Sequence, residues 1–284
     1  MGGASIIFSP IGEGNFAIAA ALLKEGFPRH QDGFWARTLQ AVSDYSKASE
    51  LGAPGHVMSV DGEPVGVLLT IGRRTFNGPK VVNLSSWYVR PKYRWLAPRM
   101  LMRATSEPAT TYTDLTASEE AAKLNTLLGF RTITDTVAYL FLPWIALSNF
   151  RSGAHVAPVS ARSLARLDEA DRAMLEFHAQ LDCICAVLED GAGVTPLIFS
   201  RTSRRGVPFA RLIYARDRSA AQAARGAIAR FLIGRGVFLL CLFVNRDEAV
   251  PSGWLSRGAP VQVKGEWHDG RIDAAYSELA FMGL

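Results

Sequence analysis

The residues best placed for chemistry lie in one run, Trp87 to Leu101 (WYVRPKYRWLAPRML), which reads as a strand, a short connection and a helix starting around Trp95 to Pro98. A helix N-terminus offers unpaired backbone N–H groups and the positive end of a dipole, so this run can form a pyrophosphate cradle. Period-two alternation puts Asn83, Ser85 and Trp87 on one strand face and Ser86 and Tyr88 on the other. No Asp or Glu stands in that strand. His30, His56, His155, His178 and His268 are isolated in sequence, without nucleophile-elbow or metal-ligand spacing, and are expected in surface or core roles. Cys183 and Cys185, taken with His178 and Cys241, match no recognised zinc spacing; they are expected to be core thiols, and no metal is expected. Asp114 ends a short strand, where a structural capping role is expected.

These residues must be positioned by an alternating series of elements. Asn15 to Lys24 reads as an amphipathic helix stopped at Gly26 and Pro28, and a second helix runs from about Gln31 to Ser49. From His56 the period becomes two, with Asp61-Gly62 as a tight hairpin signal; a third strand covers Val81 to Val89. A helix over Trp95 to Thr105 follows, then a strand at Thr111 to Leu115, a helix at Ser118 to Leu128 and a strand at Thr132 to Leu142. Gly, Ser and Pro over residues 148–160 predict a linker between domains 1–147 and 161–284. The second part repeats the plan: a helix at Leu164 to Leu181, three strands (CICAVLED, PLIFSRTSRRG, VPFARLIYARD), an Ala-rich helix at Ser219 to Ile233 and a strand at Val237 to Val244.

A chain of 284 residues, 49% hydrophobic and 20% charged, has globular composition and room for two modest cores. The apolar stretch from Thr136 to Leu147 is far shorter than the roughly 20 residues that span a bilayer, so no membrane partner is expected. The start of the sequence lacks an export pattern, which points to a cytoplasmic protein. A net charge of +5 favours anionic partners. A nucleotide-bearing cofactor suits that charge better than nucleic acid, because no basic stretch is interleaved with aromatics.

The run VRPKYR followed by a helix resembles motif A of the GNAT superfamily of N-acyltransferases, with Arg94 at its first loop position, Ala97 and Arg99 at the two usually small ones. Ser118 to Phe130 (SEEAAKLNTLLGF) resembles motif B, with Ala121 and Gly129-Phe130 in place and Asn125 where the family often has Tyr. The resemblance covers about Ile6 to Leu142 and extends to the second half in element order alone. It implies an α/β fold of α+β type: two GNAT-like units in tandem, each a mixed, mostly antiparallel sheet flanked by helices.

By the same resemblance, acetyl-CoA or another acyl-CoA is the substrate. Ser86, Trp87, Tyr88 and Val89 would line its pantetheine, while Arg94 and the N–H groups of Trp95, Leu96, Ala97 and Arg99 would hold its pyrophosphate; Pro98 has no N–H to give. Asn83 or Ser85 would hold a water that deprotonates the acceptor, and Asn125 would donate to the departing thiolate. The second unit lacks a glycine at its counterpart loop, Arg216-Asp217-Arg218-Ser219, where Asp217 or Ser219 reads as an N-cap; a capping carboxylate would repel phosphate. Arg201, Arg204, Arg205 and Arg211 are expected on a solvated hairpin. The expected function is acyl transfer to a small-molecule amine. The alternatives are a GNAT-like CoA-binding sensor or scaffold without catalysis, and an aminoacyl or peptidoglycan-type transferase. A homo-oligomer is compatible with this reading.

Overall fold

Alternating runs become strands and apolar stripes become helices in the computed structural model, which describes residues 4–74, 80–148, 153–191, 193–204, 207–245, 248, 250 and 252–283. In chain order, β1 (Ile6–Pro10) leads to α1 (Phe16–Gly26), α2 (Phe34–Ala48), β2 (Gly55–Val60), β3 (Glu63–Arg74) and β4 (Lys80–Val89). A 3-10 helix (Pro91–Leu96) runs into α3 (Ala97–Ala104), followed by β5 (Thr110–Asp114), α4 (Glu119–Leu127), β6 (Arg131–Phe141) and α5 (Leu142–Ser148). The rest comprises β7 (His155–Pro158), α6 (Ala161–Leu164), α7 (Glu169–Gln180), β8 (Ile184–Asp190), β9 (Gly193–Arg204) and β10 (Val207–Ala215). After them come α8 (Arg218–Ala223), α9 (Arg225–Ile233), β11 (Leu239–Phe243), β12 (Gly253–Lys264), β13 (Ile272–Asp273) and α10 (Glu278–Phe281).

Local chemistry sets the ends of these elements. Asp61 and Gly62, with φ of 50° and 85°, form the left-handed turn that joins β2 to β3. Ser118 caps α4 by accepting from the Ala121 N–H at 3.2 Å, and Gly129, at φ 90°, follows its end. The helix expected over Leu164 to Leu181 begins later, at Glu169, because Asp168 accepts from the Asp171 N–H at 2.8 Å and caps it; α6 is a separate turn that ends at Leu164. The Ala-rich helix likewise divides at Ala224.

The chain forms two units, each drawn from separate stretches of sequence. One comprises Met1–Thr132, Pro260–Trp267 and Tyr276–Phe281; the other comprises Ile133–Ala259, His268–Ala275 and Met282–Leu284. The expected linker at residues 148–160 is not where they part. Residues 149–152 lie outside the described residues, but His155–Pro158 is a strand and Ser160 is the N-cap of α6, so the Pro- and Ser-rich composition there marks capping and turn chemistry.

The strand order of the first unit is β1-β2-β3-β4-β5-β12, antiparallel throughout except for the parallel pair β4/β5. That of the second is β7-β8-β9-β10-β11-β6, antiparallel except for β10/β11. The two patterns are the same. Met58, Leu68, Leu84, Leu96, Leu101 and Phe130 share the first core, and Phe199, Leu212, Ile228, Leu232 and Leu240 share the second. Burying such side chains supplies roughly 1.5–3 kcal/mol each.

Candidate active site

The site is built on β4. Against β3 its register runs Leu68 to Trp87 and Thr70 to Leu84, so Ser85 and Ser86 together face Leu69: β4 carries a bulge. Against β5 it pairs only over Lys80–Asn83 with Thr110–Thr113. Beyond Asn83 and Thr113 the ladder between the two strands stops.

The bulge changes the side-chain faces. Simple alternation placed Trp87 with Asn83 and Ser85, but the extra residue shifts the phase. Trp87 packs with Leu84 and Val89 in the core under α3, whereas Asn83 points to the side of α2 and α10, where Tyr45 stacks on Tyr276 at 5.4 Å. Near the bulge, Ser85 Oγ and Trp87 Nε1 are buried without a hydrogen-bond partner among the described residues. Tyr88 faces α1, donating to Glu25 at 2.8 Å, and Ser86 is half-buried.

Asn83 and Asn125, expected to face the reactants, are engaged elsewhere. Asn83 Nδ2 donates to the Glu278 carboxylate and to Leu84 O (3.3 Å), and its Oδ1 accepts from Thr113 Oγ1 at 3.1 Å. Asn125 is fully buried; its Nδ2 donates to Asp114 Oδ2 and to Gln262 Oε1, both at 2.9 Å. Both amides have their hydrogens committed, so Asn125 holds β5, α4 and β12 together and has no donor left for a thiolate. Gln262 in turn donates to Ala122 O at 3.1 Å and Thr126 Oγ1 at 3.2 Å.

Two carboxyl groups complete this cluster. Glu278 is 2% exposed and accepts from Thr116 Oγ1 at 2.7 Å as well as from Asn83. Asp114 is 9% exposed, and burial, with a smaller contribution from the Glu278 charge, pushes its carboxyl up to about 7. The sequence gives no sign of Gln262 or Glu278, which arrive from 137 and 195 residues away. The only local hint is that Asp114, read as a cap, ends a strand of otherwise neutral polar residues.

The expected pyrophosphate cradle is mostly closed. Tyr93 N–H donates to Arg90 O at 2.8 Å and Ala97 N–H to Arg94 O; Trp95 and Leu96 lie inside the 3-10 turns, whose N–H groups bond three residues back. Pro91 and Pro98 favour this tight winding, since each has φ preset for a helical first turn. What remains toward solvent is side chain: Arg94 and Arg99 are exposed and Trp95 is 69% exposed. Below them Arg90 binds Glu25 at 3.0 Å and Glu63 at 2.9 Å, which fixes the exit of β4 and holds the Glu25 carboxyl below its usual range.

The second unit repeats this plan with its gap filled. β10 also carries a bulge, at Ile213, and pairs with β11 only at Ala210 and Arg211. Here β13 lies on the freed side: Ile272 and Asp273 pair with Ala215 and Tyr214, and Ala274 N–H donates to Ile213 O at 2.7 Å. Asp217 caps α8 through Ser219 N–H (2.8 Å) and Ala220 N–H (3.0 Å). Arg211 is half-buried, with its guanidinium 5.8 Å from the Phe243 ring centre, unlike the solvated role expected for it; Arg205 and the Arg204 side chain lie outside the described residues. His178 is a core histidine, fully buried, with Nδ1 2.7 Å from Met174 O and Nε2 2.9 Å from Ala275 O. Burial pushes the half-buried Cys183 and Cys185 thiols up to about 12, far from thiolate reactivity. No helix among the described residues is long and apolar enough to cross a membrane.

No family model and no curated protein matches this sequence. Solved structures do. A GCN5-related N-acetyltransferase from Anabaena variabilis superposes with a TM-score of 0.62 at 11% identity, over 92% of this chain and 72% of that one. A GCN5-related N-acetyltransferase from Kribbella flavida gives 0.57 at 13% identity, over 92% and 71%. With this likeness added to the strand order, the bulge and the parting of β4 from β5, the chain has the fold of the GCN5-related N-acetyltransferases (the GNAT superfamily).

Proposed function

We propose that this protein is a GNAT-type acyltransferase that moves an acetyl or other acyl group from acyl-CoA to a small amine. One observation supports this reading: the β4/β5 ladder ends at Asn83 and Thr113, ahead of the bulge, so an extended pantetheine can lie as an added strand along the second half of β4. The thioester carbonyl sits at the bulge, against the backbone of Ser85 and Ser86. In the second unit β13 pairs with the corresponding part of β10. The second unit is thus a GNAT-like unit without a CoA site.

The anionic end of the cofactor meets Arg94 and Arg99 side chains, which replace the closed N–H cradle as phosphate ligands. Calorimetry with acetyl-CoA, CoA and a longer acyl-CoA tests this. Binding to the wild type is expected, with affinity reduced by about tenfold or more in Arg94→Glu, because charge reversal replaces attraction by repulsion. Undetectable binding of all three to the wild type would sink the reading. A second reading, CoA binding without transfer, is favoured by the commitment of both Asn83 and Asn125 to internal hydrogen bonds. Release of free thiol in the presence of amines separates the two.

A further inference from the structure

Asp114 is the last residue of β5, one step beyond Thr113, the final parallel partner of β4. It therefore stands at the level where the ladder between the two strands ends, one residue short of the bulge at Ser85 and Ser86. Its carboxyl group is buried on the side of α4, where it accepts from the Asn125 amide at 2.9 Å and from the Thr116 N–H at 3.4 Å. Among the described residues no cation pairs with Asp114. A buried carboxylate with only neutral donors and a second carboxyl group nearby is costly, so this group keeps its proton instead. The two donors engage one carboxyl oxygen each.

Resting on the acyl-CoA reading above, we propose that Asp114 is a catalytic residue, the general acid that protonates the departing thiolate of CoA. The amine nitrogen attacks the thioester carbonyl carbon and forms the N–C bond; the C–S bond breaks with its electron pair going to sulfur; the Asp114 O–H proton passes to that sulfur. The ammonium proton formed on the acceptor goes to solvent, and the Asp114 carboxylate regains a proton from solvent before the next turnover. The rise of its carboxyl to about 7 matches an acid that is loaded at neutral pH and still able to release its proton. Asn125 is a positioning residue here: its amide fixes one carboxyl oxygen and is itself fixed by Gln262.

The test compares leaving groups. The full chain and Asp114→Asn are assayed for thiol release, with a panel of primary amines, from acetyl-CoA and from S-acetyl-4-nitrothiophenol, whose acidic thiol departs without a proton. The variant is expected to lose about 10²–10⁴-fold on acetyl-CoA, the range of acid–base catalysis. On the activated thioester it is expected to stay within about threefold of wild type. Equal losses on both thioesters, or no loss on either, would overturn the assignment in favour of a structural role. Should the variant not fold, the wild-type pH profile decides: the acetyl-CoA rate alone falls as pH rises through about 7, and parallel profiles for the two thioesters overturn the proposal. Wild-type protein that binds acetyl-CoA in the calorimeter yet releases no thiol refutes the acid and leaves the CoA site standing. Wild-type protein that binds no acyl-CoA refutes the site, and the acid with it.

Discussion

At the scale of single residues, burial decides more than residue type. Asp114 looks in sequence like a strand-end cap, yet burial pushes its carboxyl up to about 7. The linkage has a definite sign. The folded chain keeps this proton to about pH 7, whereas the unfolded chain releases it near the ordinary value of 3.8, so stability falls as pH rises through that window. Each unit of the rise corresponds to about 1.4 kcal/mol. Asp114→Asn removes the titration, and its denaturation midpoint is expected to fall less than that of wild type as pH rises from 3.8 to about 7. Identical pH dependence in the two proteins would show that Asp114 ionises normally. Asn83 and Asn125 teach the same lesson from the other side: amides chosen for chemistry turn out to satisfy carboxyl groups from remote segments.

At the scale of elements, the bulge in β4 positions everything else. It turns Trp87 into the core, leaves Ser85 and Ser86 at the opening, and recurs in β10, so the repeat reaches below element order. Close approach of α1 fixes the other side of the strand. A Cβ at Gly26 would lie 2.4 Å from Tyr88 Cγ and 2.7 Å from Tyr88 Cβ, contacts that a packed ring cannot accommodate by rotation. Gly26→Ala is expected to cost about 1–3 kcal/mol as α1 is displaced from β4. An unchanged melting temperature would mean that helix and strand are less tightly apposed. The short connection expected between β4 and the helix is instead a 3-10 helix over Pro91–Leu96, whose first turn Pro91 presets.

At the scale of the molecule, neither unit is a continuous stretch of chain. The first needs Pro260–Trp267 and Tyr276–Phe281, which bring Val261, Gln262, Val263 and Glu278, all 2% exposed or less. A chain ending at Ala259 loses the pairing of β5 with β12 and strands the Asn83 and Asn125 amides among buried neighbours. Its Tyr112–Asp114 amides are expected to lose their protection against hydrogen exchange; retained protection would show that β5 is stable without β12. The same deletion takes β13 from the second unit.

The sequence by itself determined the α/β class, the first hairpin at Asp61-Gly62, the strand-to-helix run around Arg94 and most of the element order through Val244, though not β1, α5 or β7, because these depend on periodicity, caps and turn residues close together in the chain. The fold they belong to was legible through the resemblance of the run around Arg94 and of Ser118 to Phe130 to two motifs of the GNAT superfamily. Residues beyond 244 gave no local signal, and that is where the tertiary structure decided most. β12 and α10 become part of the first unit only once a sheet exists to receive them, and the β4 phase shift depends on a register that one strand cannot specify alone. The carboxyl pair of Asp114 and Glu278, 164 positions apart by number, is created by that assembly.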